Sequence, residues 1–260
     1  MAQGGEGRGV GSSDHLKQRG DCGNLREAPA PSSALDRHME LIKVTCELRH
    51  AERMKILAPY EDLYREVMGK EPEDVGRWMA PGLRLDDKDR KRVVVVDPSH
   101  TAVDMEQPPN VGYCKDTILK VFDDMQRLLT IPRIARWGLR FAWIHGHAGD
   151  FETLLAACKE RFFASGALIG RASDVGLVLD YVVNGLKLTV TAGPMKIEQL
   201  KSQFLAFEPK ELPAVFLYLD VDAADVDTPQ YSRKHLGQLF DRGHGQAEAI
   251  AEELIALVGV

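Results

Sequence analysis

The chain has 260 residues, 44% of them hydrophobic, 28% charged and 7% aromatic, a composition that supports a sizeable buried core without disulfide or metal staples. Thirty-three basic against 39 acidic side chains leave a formal charge of −6. That balance, with no basic recognition helix and no aromatic-rich basic strand, argues against nucleic acid as a partner.

No stretch approaches the roughly eighteen apolar residues of a membrane helix, and no N-terminal segment is apolar enough for a secretory signal. Cys22, Cys46, Cys114 and Cys158 form no Cys-x-x-Cys pair, which excludes a zinc ribbon and a thioredoxin-like redox motif. The expectation is a cytoplasmic chain with separate thiols and no membrane partner.

Residues 1–37 are rich in glycine, serine and proline and poor in large apolar side chains, so a disordered tail is expected there, ahead of a single domain over 38–260. Acidic residues interleave with Arg8, Lys17 and Arg19, which weakens a reading of the tail as a basic binding arm. Leu41 to Leu48 is β-branched and reads as a first strand. Tyr60 to Met68 carries apolar residues at helical spacing, with Gly69 as a stop before the polar Lys70 to Asp74.

Arg92 to Val96 predicts a second strand after the charged stretch Asp86 to Lys91. Asp116 to Leu129 predicts an amphipathic helix ended by Thr130-Ile131-Pro132. Arg136 to His147 reads as a strand in which Trp137, Leu139, Phe141, Trp143 and His145 share one side. Phe151 to Phe163 follows as a helix with Asp150 as its N-cap. Asn184-Gly185 between Leu177–Val183 and Leu186–Thr191 predicts a hairpin with a type I′ turn, and Gly193-Pro194-Met195 reads as a turn after it.

Ala214 to Asp222 is expected to be the last strand, with Val215, Leu217, Leu219 and Val221 on one face and Phe216, Tyr218, Asp220 and Asp222 on the other. Leu236 to Val258 closes the chain as a helix interrupted at Gly243-His244-Gly245. Hairpins mixed with helices favour an α+β fold, a mainly antiparallel sheet with helices packed on it, over a doubly wound parallel sheet.

Two clusters carry possible chemistry. His145 and His147, at i and i+2 on a strand end, have the spacing of two imidazoles that reach one metal ion. The plainer reading gives both a structural place at the strand exit, with Gly146 and Gly149 in the turn and Asp150 capping the helix. Asp220, Asp222, Asp225 and Asp227 form an acidic row whose repulsion needs a basic partner, solvent or a divalent cation. The row departs from the EF-hand pattern at its fifth, sixth and twelfth positions, and arginine across the sheet is the favoured partner. Neither a P-loop nor a Gly-x-Ser-x-Gly elbow is present.

Ile131-Pro132-Arg133-Ile134 leading into Gly138-Leu139-Arg140-Phe141, then Gly193-Pro194, then Leu217-Tyr218-Leu219-Asp220-Val221-Asp222 before a terminal helix resemble a sporadically distributed prokaryotic protein family of unknown function. That family continues its arginine strand with Asn-Arg, where this chain has Ala142-Trp143-Ile144-His145. The resemblance carries no activity. It implies a gene of mobile or phage-defence loci, and strands that place Arg140 beside Asp220 and Asp222 as a structural ion pair.

The expectation is a non-catalytic module that binds another protein or its own copy through a sheet face or edge, with Phe216 and Tyr218 as its interaction face and no cofactor. The alternative is a divalent-metal-dependent hydrolase or nuclease using His145, His147, Asp220 and Asp222.

Overall fold

The computed structural model describes residues 39–51, 60–69, 76–79, 82–129, 134–225 and 230–260. The tail expected over 1–37, the polar stretch after Gly69, the helix stop at 130–132 and Asp227 lie outside the described residues. Among the described residues nine strands form one fully antiparallel sheet: β1 (Met39–His50), β2 (Gly76–Met79), β3 (Gly82–Asp87), β4 (Arg92–Val96), β5 (His100–Glu106), β6 (Ile134–Gly146), β7 (Leu177–Val183), β8 (Leu186–Lys196) and β9 (Val215–Asp225). Their order across the sheet is β2-β3-β4-β5-β1-β6-β9-β8-β7. With α1 (Tyr60–Met68), α2 (Val111–Leu129), α3 (Phe151–Phe162), α4 (Ala167–Arg171), α5 (Ile197–Gln203) and α6 (Arg233–Val258), the fold is α+β.

Alternation along the central strands divides the sheet into two chemically different faces. One carries Val44, Cys46 and Leu48 from β1, Trp137, Leu139, Phe141 and Trp143 from β6, and Leu217, Leu219, Val221 and Ala223 from β9. All are buried in the main core with α1, α2, α3 and α6. Phe141 sits at its centre, edge-on to Phe240 with ring centroids 5.5 Å apart and stacked on Trp143 at 5.8 Å.

Helix α6 runs unbroken through Gly243-His244-Gly245, against the interruption expected there. Gly243 is retained for closeness: a β-carbon there would stand 3.4 Å from Ala223 and 3.5 Å from a methyl of Leu139, so the small residue lets the helix lie directly on the sheet.

The hairpin turn is as expected, with Asn184 and Gly185 at φ 50° and 78°. Gly193-Pro194-Met195 is strand, not turn. β7 pairs with β8 only as far as Ala192, while β8 pairs with β9 through Lys196. Pro194 therefore sits beyond the β7 ladder, where a missing N–H costs no strand pairing on that side. A β-carbon on Gly193 would stand 2.8 Å from the Val175 carbonyl oxygen, so glycine is required by the close backbone approach. No helix among the described residues is long and apolar enough to cross a membrane.

Candidate binding face

On the other side of the sheet α5 is the helix that packs among the described residues, and the side chains there form rows across five strands. Cross-strand register aligns Thr45, Arg140, Asp222, Thr189 and Asp180 from β1 through β6, β9 and β8 to β7. The next row runs Lys43, Ala142, Asp220, Thr191, Val178, and the one on the opposite side Glu47, Gly138, Ala224, Lys187, Val182.

Arg140 faces Asp222 directly, yet its guanidinium turns diagonally to Asp220: Nε lies 2.8 Å from both carboxylate oxygens, and Nη2 also donates to Oδ2. Tyr218 donates its hydroxyl to the same Oδ2 at 3.0 Å. Asp220 is buried at 4% exposure, and these two donors satisfy a carboxylate that would otherwise be costly to bury. The bonds to Asp220 hold the Arg140 pKa well above the ordinary guanidinium value. Burial, then the Asp220 charge, pushes the Tyr218 phenol up.

Asp222 takes Arg136 instead, Nη2 to Oδ2 at 2.6 Å. The expected ion pair thus joins Arg140 to Asp220 alone, and Arg136 is a member that the sequence reading missed. Its position at the start of β6, four residues before Arg140 and so on the same face, is the signal that identifies it. Arg136 also reaches Glu47, Nη1 to Oε1 at 3.5 Å.

Glu47 further contacts Arg49 and stands 3.7 Å from His100 Nε2, and His100 Nδ1 lies 3.2 Å from Asp97. The contact with His100, reinforced by Arg49 against the cost of burial, lowers the Glu47 pKa to about 2. The same contact, then the charges of Glu47 and Asp97, raises His100. One network therefore spans β5, β1, β6 and β9, and local sequence pattern does not reveal it because its cross-strand contacts are long-range.

The histidines lie elsewhere. His145 shares the parity of Trp143 and Phe141, so it projects from the helix-covered face, where its Nε2 lies 3.2 Å from the Val260 main-chain oxygen. Asp220 pairs in register with Ala142 on the opposite face. The sheet therefore separates His145 from Asp220 and Asp222, and Arg140 and Arg136 occupy the carboxylates on the aspartate side. His147 follows β6, its backbone N–H donating to Val215, and its ring packs over Gly149; burial lowers its pKa. Asp150 caps α3, accepting from the Thr153 amide at 2.8 Å. Asp225 faces α6, 3.2 Å from His235 and 3.8 Å from Arg242. Among the described residues no three His, Cys, Asp or Glu side chains converge as a metal site.

Phe216 and Tyr218, expected to form an interaction face, are buried at 0% and 4% exposure. They form a second small core with Ile42, Ala142, Ile144 and Leu200, covered by α5 and by Phe204, Leu205 and Leu212 in the segment after it. This segment crosses the face as a strap tied down by charge. Glu106 accepts the amides of Ala206 and Phe207 at 2.7 and 3.1 Å, and Lys43 Nζ donates to the Phe204 carbonyl at 3.1 Å. Lys91 Nζ reaches the Glu208 carbonyl at 3.0 Å, and the Lys210 amide donates to Gln107 at 2.9 Å. The strap is invisible in the sequence because its residues have neither helical nor strand period; its anchors lie 100 to 161 residues upstream.

Two depressions flank Arg140 on the uncovered part. One, of about 380 Å³, is walled by Arg49, Arg136, Arg140, Thr45, Glu47 and Asp222 above Gly138. The other, of about 370 Å³, is lined by Phe204, Tyr218, Pro194, Met195, Thr191 and Arg140. At the sheet margin β7 is the terminal strand, and Val178, Tyr181 and Val182 are exposed at 63, 37 and 81%. No family model and no curated protein matches the chain.

Proposed function

We propose that this protein is a non-catalytic interaction module that pairs with a second copy of itself along β7. The observation that carries this reading is an apolar terminal strand, Leu-Val-Leu-Asp-Tyr-Val-Val, with one side unpaired among the described residues and Val178 and Val182 exposed. Sheet edges left open in monomers are guarded by charged side chains, above all lysine, by proline, by bulges or by short length. β7 has seven residues, no lysine and no proline, and one charged residue. Its single charge, Asp180, accepts a hydrogen bond from Thr189 on β8 at 2.7 Å and so is turned toward its own sheet.

That charge also selects the register. Antiparallel pairing about Asp180 would set two carboxylates opposite each other, which is unfavourable. Pairing centred one residue on, at Tyr181, sets each Asp180 against Val182 of the other copy and brings the two tyrosines together, with the polar face continuous across both sheets. A two-fold dimer of this kind is self-complementary and closed.

The hydrolase alternative draws no support from the site, since it needs His145 and Asp220 on one side of the sheet. A cytoplasmic setting is part of the proposal, supported by Cys46, Cys114 and Cys158 as separate buried thiols.

Size-exclusion chromatography with light scattering tests the reading. The expected result is a dimer at tens of micromolar that becomes a monomer in Val182→Lys, which sets a charge at the pairing edge without touching the core. A wild-type monomer across that range, or a dimer unchanged by Val182→Lys, overturns it. If a monomeric wild-type protein instead recovers a strand from another polypeptide at β7, self-pairing is refuted and edge recognition is retained for a different partner.

A further inference from the structure

We infer that the two depressions flanking Arg140 form one bipartite site for a small aromatic oxyanion, with the ring beside Phe204 and the anionic group against the arginines. The two share Arg140 as their common wall. The inference does not rest on self-pairing along β7, although Thr191 of the site stands in register with Val178 of that strand.

The halves differ in chemistry. On the strap side, Phe204 lies over Tyr218 with ring centroids 5.0 Å apart, and Pro194, Met195 and Thr191 complete an apolar floor. A ring is the group such a surface accepts, by stacking and apolar contact. Asp174 borders this depression as well, which disfavours a second negative charge at that end and so orients the ligand.

On the β1 side three guanidinium groups, from Arg49, Arg136 and Arg140, stand with the carboxylates of Glu47 and Asp222, and Asp220 lies behind Arg140, so the site offers oriented N–H donors and no excess of positive charge. Gly138 leaves the floor open: a β-carbon there would meet the Arg136 guanidinium at 3.1 Å. Arg140 spends Nε and Nη2 on Asp220. Its side chain is nevertheless 49% exposed, and Nη1 is not used in that pair. A guanidinium fixed from behind by a buried carboxylate offers its remaining N–H groups without further ordering, the arrangement that favours a bidentate oxyanion.

Calorimetric titration of the full chain with phenyl phosphate, inorganic phosphate and phenol is the test. Phenyl phosphate is expected to bind at least tenfold more tightly than either fragment. Two exposed positions provide variants that keep the fold: Thr191→Trp, which fills the apolar half, and Arg49→Gln, which removes a charge from the other. Each is expected to weaken phenyl phosphate, the first by tenfold or more and the second severalfold, with unchanged thermal unfolding. Phenylacetate in parallel separates a carboxylate from a phosphate ester as the preferred anion. No binding of any aromatic oxyanion, phosphate binding as tightly as phenyl phosphate, or a Thr191→Trp variant that binds as the wild type does would each overturn the inference.

Discussion

The two faces of the central sheet are built from the same strands yet are held in opposite ways. On the helix side, β1, β6 and β9 contribute mainly apolar side chains, with His145 and Asp225 at strand ends, and dispersion and water exclusion do the work. On the strap side, five buried apolar residues of the sheet lie under Leu200 of α5 and the irregular segment after it, and charged groups fasten that segment. The contrast teaches that a face is defined by what its alternate residues demand. Where the alternation brings Arg140, Asp220 and Glu106, the cover is short and polar-anchored, and among the described residues the Arg140 side chain stays half exposed.

The sharpest way to break this comparison is to remove a central ring from the helix side. Phe141→Ala leaves a void between Phe240 and Trp143 and is expected to cost about 3–5 kcal/mol, the range for large aromatic truncations in closed cores. Urea unfolding checks it. A loss under 1 kcal/mol would mean that this layer is loosely packed.

The strap side is expected to yield less and by a different mechanism. Glu106→Ala deprives two main-chain amides and Lys43 of their shared acceptor and is expected to cost about 2–3 kcal/mol, the scale for hydrogen bonds to a charged group. Because the strap covers Tyr218, the variant should also raise the rate of amide exchange at 204–210. A matching loss of stability with the strap still protected would place the role of Glu106 elsewhere.

Smallest is the pH dependence of the network at the far end of the same face. The raised His100 pKa gives a contribution fully present below the unfolded value of about 6.5 and lost as pH rises through the higher folded value. Glu47, lowered to about 2, contributes above its unfolded value of about 4.3 and loses that contribution as pH falls toward 2. Wild type minus His100→Asn, measured by urea unfolding at pH 6 and pH 9, should show a larger difference at pH 6. An equal difference at both values would show that the contact with Glu47 carries no charge.

Much of this fold is legible in the sequence because the long strands alternate cleanly. Trp137 to His145 and Val215 to Asp222 were assigned to their correct faces from parity alone, and the Asn184-Gly185 turn from its φ demand. β3 escaped because Asp86 and Asp87 read as loop. In the structure Asp87 is buried and bonded to Arg92 across the hairpin at 3.1 Å, a partner that makes a charged strand end stable. β5 escaped for a related reason, since Asp104 is held by Thr45 on β1 at 2.6 Å. The site was half legible: Asp220 with Arg140 follows from neighbouring strands, whereas the diagonal choice between Asp220 and Asp222 depends on Arg136 and on the strap. No spacing rule encodes the cover over Phe216 and Tyr218.

Amide hydrogen exchange at Val178 to Val182, followed as protein concentration is raised, tests the pairing at β7 most directly. The account predicts that the outward-facing amides of this strand exchange freely in dilute solution and become protected together as the dimer fills. Exchange that stays fast and independent of concentration, with the rest of the sheet protected, would contradict it.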